Sequence, residues 1–441
     1  MRILMVNKFL YPNGGSETYI FKLGEELQRR GHEVQYFGME HEGRIVGNRI
    51  DSYTSDMNFH TGKLQKLLYP FKIIYSFEAK RRMGRVLRDM NPDVVHLNNI
   101  NFQLTPSVIY AVRAYERKTG RKIKLVYTAH DYQWVCPNHM MRIPSTGKIC
   151  FACRGGYFGA CMKNRCIHNS RARSLLGTIE AKLYMWRRTY GLVDVIICPS
   201  EFMKRQLDSN PLLEEKTVMM RNFVERPSGE ELSGGMDEDR KRAAGAERSA
   251  DADGGVEQTA GVKQKGGKSE DTQQRDYVLY FGRFSEEKGI ATLLKACEAL
   301  PEIPFVFAGS GPLEAQVSNI KNVENKGFVT GESLHRLIAG ARFSVYPSEW
   351  YENGPFSVME SLMYGTPVLV SDLGGAPELV QAGRTGDIFR GGDIQELISH
   401  IREMWEQPEL CRAYRENCKE IKFDTIGEYC DKIVRNVYKE R

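Results

Sequence analysis

The stretch Pro347-Ser348-Glu349-Trp350-Tyr351-Glu352-Asn353-Gly354-Pro355-Phe356-Ser357-Val358-Met359-Glu360 decides how the chain is read. It follows a short apolar run, Phe343–Tyr346, and leads into a helical pattern that starts near Pro355 or Phe356. A strand, a loop and a helix start in this order present free backbone N–H groups and the positive end of a helix dipole, which suits a diphosphate. Glu360 falls about one turn inside that helix, beside Val358, Met359, Leu362 and Met363. A glutamate on an apolar helix face is rare unless it is paired or hydrogen-bonded. Glu352 and Glu360 therefore flank a phosphate-binding helix start and can hold hydroxyls on either side of it.

Working outward, the same pattern recurs. Tyr277–Gly282, Pro304–Ala308 and Pro367–Ser371 read as strands, and Glu286 to Leu300 as a helix. Arg283 can fork onto phosphate oxygens at a strand end, and Lys288 adds a point charge at the following helix start. Gly309 and Gly311 lie in a second strand-to-helix loop, and Gly327-Phe328-Val329 can present backbone to a flat base. The front half alternates similarly: Arg2–Asn7, Glu33–Phe37, Asp93–Leu97, Lys124–Ala129 and Asp194–Cys198 are strand-like, with a helix over Glu17–Arg30. Gly14 and Gly15 lie after the first strand, and His130-Asp131 after the fourth. Short apolar runs separated by helical patterns imply parallel strands with crossover helices. The expected class is α/β: two Rossmann-like doubly wound domains, 1–223 and 277–423, with a cleft between them. Residues 424–441 form a C-terminal helix able to cross back to the first domain. Residues 224–276 separate the domains. Within them Ser228 to Asp276 holds four large apolar residues in 49 and no Phe, Tyr, Trp or Ile, too few to offset its ordering entropy, and it is expected to be disordered.

The net charge of +6 hides an asymmetry. Through Phe223 there are 35 Lys and Arg against 19 Asp and Glu, and beyond it 27 against 37, so a front half at +16 precedes a back half at −10. Lys63 to Arg88 carries eight of the basic residues, interleaved with Leu64, Leu67, Leu68, Phe71, Ile73 and Phe77. Such a stretch suits peripheral contact with an anionic membrane, and no recognition motif accompanies it to suggest nucleic acid. No apolar run approaches a membrane span. The N-terminus reads as a buried strand, not a signal peptide, so a cytoplasmic location is expected.

Ten cysteines in that setting are thiols or metal ligands. Five fall between Cys136 and Cys166: Cys136, Cys150, Cys153, Cys161 and Cys166. Cys150 and Cys153 have chelating C-x2-C spacing, and Cys136 with Cys166, or Cys161 in its place, completes four thiolates. A structural zinc, an iron–sulfur cluster and loose thiols on the excursion 136–168 remain open.

Taken together, these motifs resemble the retaining glycosyltransferases of family 4, which have the GT-B fold, and the excursion is similar to that of cysteine-rich bacterial members. The E-x7-E mark is matched by Glu352 and Glu360, the R-x4-K pair by Arg283 and Lys288, the G-G loop by Gly14-Gly15, and R-G-H-E-V by Arg30 to Val34. One departure concerns the usual E-G-F-G, which reads Glu352-Asn353-Gly354-Pro355. The resemblance implies a hexosyltransferase that takes a nucleotide-diphosphate sugar as donor and builds a cell-surface polysaccharide or glycolipid on a glycan or lipid-linked acceptor, with no metal needed for transfer. It implies catalytic roles for Arg283, Lys288, Glu352 and His130. It implies donor binding by Gly14, Gly15, Gly309, Gly311, Val329, Gly354, Phe356, Ser357 and Glu360. Competing readings are a nucleotide-sugar epimerase of the same fold, which would lack E-x7-E, and a non-catalytic nucleotide-sugar-binding or scaffold protein.

Overall fold

In each half of the chain, strand residues alternate between two apolar layers. The structure, a computed structural model, describes residues 1–55, 73–225 and 277–439. Ten of the 26 residues from Lys63 to Arg88, and all but the first two of 224–276, lie outside these. In the first domain, β1 (Arg2–Val6), β2 (Glu33–Phe37), β3 (Val94–Leu97), β4 (Lys124–Thr128), β5 (Val195–Cys198) and β6 (Thr217–Met219) form one parallel sheet in the order β2-β1-β3-β4-β5-β6. Leu4, Val6, Val95, Leu97, Leu125 and Tyr127 join one core layer, and Ile3, Met5, Val34, Tyr36, Val94 and Val126 the other. A sheet apolar on both faces must be covered by helices on both. Those named below are α1 (Gly15–Arg29), α2 (Phe77–Met90), α3 (Ser107–Thr119), α4 (Gly159–Lys163), α5 (Arg171–Trp186) and α6 (Glu201–Asp208).

The second domain repeats the plan with β7 (Val278–Phe281), β8 (Phe305–Ala308), β9 (Val323–Asn325), β10 (Phe343–Tyr346), β11 (Val368–Ser371) and β12 (Gly386–Phe389), ordered β12-β11-β10-β7-β8-β9. Its helices are α7 (Ile290–Ala299), α8 (Glu314–Val317), α9 (Gly331–Gly340), α10 (Phe356–Met363), α11 (Ile394–Glu406), α12 (Pro408–Cys418) and α13 (Ile426–Ile433). Strand order reverses between β1 and β3 in the first sheet and between β7 and β10 in the second. In doubly wound sheets the crevice beyond the strand ends at such a switch point is where ligands bind. The helix expected over Glu286–Leu300 is interrupted: Glu286–Lys288 is a single 3-10 turn, and Gly289, left-handed at φ 71°, separates it from α7. A Cβ on Gly289 would stand 1.8 Å from the Pro347 carbonyl oxygen, so the break lets this loop pass against the loop after β10.

The last helix returns to the first domain. Tyr429, Cys430 and Ile433 of α13, with Val437 and Tyr438 beyond it, join the core layer of β1 and β2. Buried polar groups stitch this contact. Tyr438 Oη meets His96 Nδ1 at 2.7 Å, His96 Nε2 meets Thr128 Oγ1 at 2.7 Å, and Tyr19 Oη bridges Thr128 at 3.2 Å and Tyr429 Oη at 2.8 Å. His96 is fully buried, and that burial pushes its pKa down to about 3, so the ring is neutral.

This network predicts an acid dependence. The unfolded histidine titrates near 6.5 and the folded one near 3, so the stabilisation is full above about pH 6.5 and is lost as pH falls toward 3, by up to ~1.4 kcal/mol per unit. His96→Leu, which leaves Tyr438 and Thr128 without their partner, is expected to cost about 2–3 kcal/mol at pH 7.5. Its urea midpoint should then fall less than that of the wild type between pH 7.5 and 5.

Candidate functional site

The loop after β10 carries a buried carboxylate. Glu352 Oε1 accepts from Lys288 Nζ at 2.6 Å, Ser348 Oγ at 2.6 Å and Trp350 Nε1 at 2.9 Å. The Lys288 ammonium also lies 5.3 Å from the centre of the Trp350 ring, within cation–π range. Burial alone would raise the Glu352 carboxyl, but the Lys288 charge and these three bonds outweigh it and hold it below the ordinary carboxylate value. All three bonds fall on Oε1, so Oε2 is left to accept from a ligand hydroxyl. Behind the loop, Gly375 N donates to Glu352 O at 2.6 Å, and Gly374 lies in the left-handed region at φ 75°. A Cβ on Gly374 would stand 2.3 Å from the Glu352 oxygen, so only glycine lets the chain after β11 press against this loop. The Gly374-Gly375 pair escaped the sequence reading, although its position after an apolar strand is the same signal that marked Gly14-Gly15.

Two helix starts converge beside this loop. α1 begins at Gly15 after Gly14, and α10 at Phe356 after Pro355; neither has a side-chain cap. A Cβ on Gly15 would lie 3.5 Å from the Phe356 ring, so the two N-termini face each other across the cleft. Uncapped amides and two positive dipole ends at one place suit an anion, with Glu17, buried in the first turn of α1 and raised in pKa by that burial, beside them. Ser357 is the second residue of α10, and Glu360 lies further along it, half-buried. No hydrogen bond to the Glu360 carboxylate forms among the described residues, and burial raises its pKa despite the nearby charges of Lys22 and His335. A carboxylate left without a partner one turn inside such a helix is suited to accept ligand hydroxyls. Arg283 is exposed after β7, and its guanidinium has no partner among the described residues.

The remaining residues are placed as follows. Gly309 and Gly311 pack directly on the loop after β7, where added Cβ atoms would stand 1.9 Å from Gly282 O and 2.4 Å from Phe284 O. Gly309 N also donates to Gly327 O at 2.6 Å, which sets Val329 beside them, partly buried against the second domain's core. His130 is half-buried after β4. Its Nε2 meets Asn98 Oδ1 at 2.9 Å, and burial pushes its pKa down to about 3, so it is a neutral ring. The Asn98 amide nitrogen donates to His96 O, which makes Oδ1 the acceptor and assigns the His130 proton to Nε2, leaving Nδ1 as an acceptor. The departure at Asn353-Gly354 has a structural use. The Asn353 amide donates to His130 O, and Asn222 Nδ2 donates to Gly354 O at 2.8 Å, so these residues join the two domains. Glu378 does the same from the other side, accepting from Glu201 N at 2.8 Å and Phe202 N at 2.6 Å at the start of α6. Asn222 and Glu378 carry no motif and were not legible beforehand.

All five cysteines of the excursion line one small cavity. Among the described residues no three His, Cys, Asp or Glu side chains stand in metal-binding geometry. Cys136 Sγ is turned to Asn138 Oδ1 at 2.8 Å, and Cys166 N donates to Cys161 O at 3.1 Å.

Residues 13–226 match the family described as Glycosyltransferase Family 4, and residues 263–421 match Glycosyl transferases group 1. The chain is 28% identical over 142 residues to the sulfoquinovosyl transferase SQD2 of Arabidopsis thaliana, covering 31% of this chain and 28% of that protein. An uncharacterized glycosyltransferase of Methanocaldococcus jannaschii is 24% identical over 298 residues, 65% of this chain and 72% of its own length. The chain spans less than half the length of several curated relatives it matches, from 28% to 42%. The solved structure of Anabaena HepE in complex with UDP superposes over 100% of both chains with a TM-score of 0.60 at 16% identity. The shared architecture is the two-domain GT-B fold, as the sequence led us to expect.

Two substitutions test the loop. Gly374→Ala should cost about 2 kcal/mol through strain and the clash with Glu352. Lys288→Met should cost about 3 kcal/mol at pH 7, because Glu352 is then buried without its counter-charge. Its carboxyl pKa rises above the unfolded value, so the deficit of Lys288→Met should shrink as pH falls from 7 to 5. Urea midpoints at the two pH values check both the size and the sign.

Proposed function

We propose that this chain, which its two family matches and its fold support as a group 1 glycosyltransferase, is a retaining hexosyltransferase that moves a sugar from a nucleotide-diphosphate donor to an acceptor in cell-surface polysaccharide or glycolipid synthesis. The observation that carries the reading is the pair of uncapped helix N-termini, α1 at Gly14-Gly15 and α10 at Phe356-Ser357, facing one another, with the unpartnered Glu360 further along α10. A diphosphate fits between two such ends, as UDP is held by the similarly folded HepE. Glu360 then takes the ribose hydroxyls, while Gly309, Gly311 and Val329 wall the base. Glu352 Oε2, the neutral His130 and the Gly354 loop face the donor sugar.

In the transfer step the bond from the anomeric carbon to the diphosphate breaks as the acceptor hydroxyl attacks from the same face. The acceptor proton passes to the departing phosphate oxygen. Charge grows on the diphosphate as the bond breaks. The helix amides and the two remaining N–H groups of Lys288, itself held by Glu352, are fixed in place to stabilise it, which is where preorganised donors contribute most, and the exposed Arg283 adds its charge.

The acceptor side of the reading rests on surface chemistry. Phe77, Arg81, Arg85 and Arg88 share one exposed face of α2. Leu175, Ile179, Lys182 and Trp186 share one exposed face of α5, with Phe77 and Trp186 79% and 78% exposed. The buried Tyr184 of α5 donates to the Ile74 carbonyl just before α2, which ties the start of α2 to α5. Basic and apolar side chains mixed on one surface suit an anionic, lipid-linked acceptor at the inner face of the cell membrane. Ile179→Asp with Trp186→Ala should cut co-sedimentation with phosphatidylglycerol vesicles about tenfold and leave phosphatidylcholine binding unchanged. Equal sedimentation of variant and wild type would contradict the membrane contact.

The transfer reading is tested with a panel of nucleotide sugars, following nucleotide release and the anomeric configuration of the product. Arg283→Ala and Glu360→Gln are expected to keep the wild-type circular dichroism while losing at least about a hundredfold in rate. Binding of donors without any release would favour a non-catalytic binding protein, and an inverted product would overturn retention.

A further inference from the structure

The excursion between β4 and β5 lacks a core of its own. The cluster that holds it is Cys153, Phe158, Cys161, Cys166 and Ala181, so three of its five buried members are thiols. Its backbone is strained as well. His139, Met141, Arg165, His168 and Asn169 all have positive φ, half of the non-glycine residues with that conformation among those described. Such backbone persists only where surrounding contacts over-determine it, and thiol packing alone is weak cover for it.

The cysteines stand as two chelating pairs and a fifth sulfur. Cys150 and Cys153 are separated by two residues, Cys161 and Cys166 are tied across α4 and the turn after it by Cys166 N donating to Cys161 O at 3.1 Å, and all four open on the same cavity. Cys136 lines the cavity too, but its thiol is already engaged by Asn138 Oδ1. All ten cysteines of the chain are free thiols.

We propose that Cys150, Cys153, Cys161 and Cys166 bind one zinc ion as a tetrahedral thiolate set, with Cys136 outside it. Binding draws the four sulfurs of the cavity onto the ion and releases the thiol protons to solvent; no bond between sulfurs forms and nothing is oxidised. The ion then supplies the cross-links that the apolar core of the excursion does not. Its effect reaches the cleft through two contacts from the excursion to the loop bearing Glu352: Phe151 lies 5.6 Å from the Tyr351 ring, and Arg142 pairs with Glu349 at 3.3 Å. The zinc site stands or falls independently of the transferase reading, since it is read by metal content and not by turnover.

The test uses the full chain purified without chelator or added metal. Elemental analysis is expected to find about one zinc per chain in a colourless protein. Cys136→Ser should keep that zinc, whereas Cys153→Ser and Cys166→Ser should fall below about a tenth of an equivalent. Because those variants can also fail to fold, wild-type protein is stripped with a chelator as well. Its melting temperature should drop and be restored by zinc but not by magnesium. The proposal is overturned by zinc far below one equivalent with no zinc-induced rise in melting temperature. Iron with visible absorbance would overturn it equally, and loss of zinc from Cys136→Ser would overturn the ligand set.

Discussion

The ion pair between Lys288 and Glu352 is the constraint on which the cleft depends. Its partners lie 64 residues apart, one in the turn after β7 and one in the loop after β10, the two strands between which the second sheet reverses its order. A carboxylate buried to this degree is tolerated only because an ammonium and two neutral donors meet one of its oxygens. In return the pair ties the two loops together at the place where a doubly wound sheet opens. The Gly374-Gly375 backbone closes the loop from behind, and Asn353 and Gly354 hand it across to the first domain through His130 and Asn222.

The same pair redistributes the positive charge of the site. Lys288 spends one of its three donors and much of its charge on Glu352. The second half of the chain carries ten more acidic than basic residues. In the proposed function, attraction for a diphosphate therefore falls to Arg283 and to the two helix ends. Backbone dipoles are well suited to this: they are fixed by the fold and require no side-chain ordering, although the buried Glu17 carboxylate lies in the first turn of α1. The positive end of α1 comes from the basic domain and that of α10 from the acidic one, so the anion site exists only where the domains meet. The return of α13 to the first domain, sealed by Tyr438, His96 and Tyr19, adds a second tie between them.

Much of this was legible in the sequence, and the reason is physical. Strands buried on both faces are continuous apolar runs, so Ile3–Val6, Leu125–Tyr127, Leu279–Phe281 and Val368–Val370 stand out in the chain. Their spacing implied two parallel α/β domains, and the GT-B architecture was what the resemblance of the motifs implied. Of the edge strands β2 stood out, but others did not: β9 is Val-Glu-Asn and none of its residues is fully buried, and β6 has only Thr217 buried. Glu352 and Glu360 were visible as a spaced pair, but their different situations were not. One is ion-paired and held below the ordinary carboxylate value; the other is unpartnered and raised. That difference depends on Lys288, Ser348 and Trp350 folding onto one oxygen, which no linear spacing encodes. The interdomain uses of Asn222, Asn353 and Glu378 are likewise products of tertiary approach.

The central claim is that backbone amides of two facing helices, helped by Arg283, hold the diphosphate of the donor. Titration calorimetry of the wild-type protein with a nucleoside diphosphate and with the parent nucleoside tests it most directly. The account predicts that the diphosphate binds at least about a hundredfold more tightly, a difference of roughly 2.7 kcal/mol, and that this margin persists at 0.5 M salt, because amides fixed in a cleft are screened less than surface charges. Equal affinity for nucleoside and diphosphate, for every base tried, would contradict it.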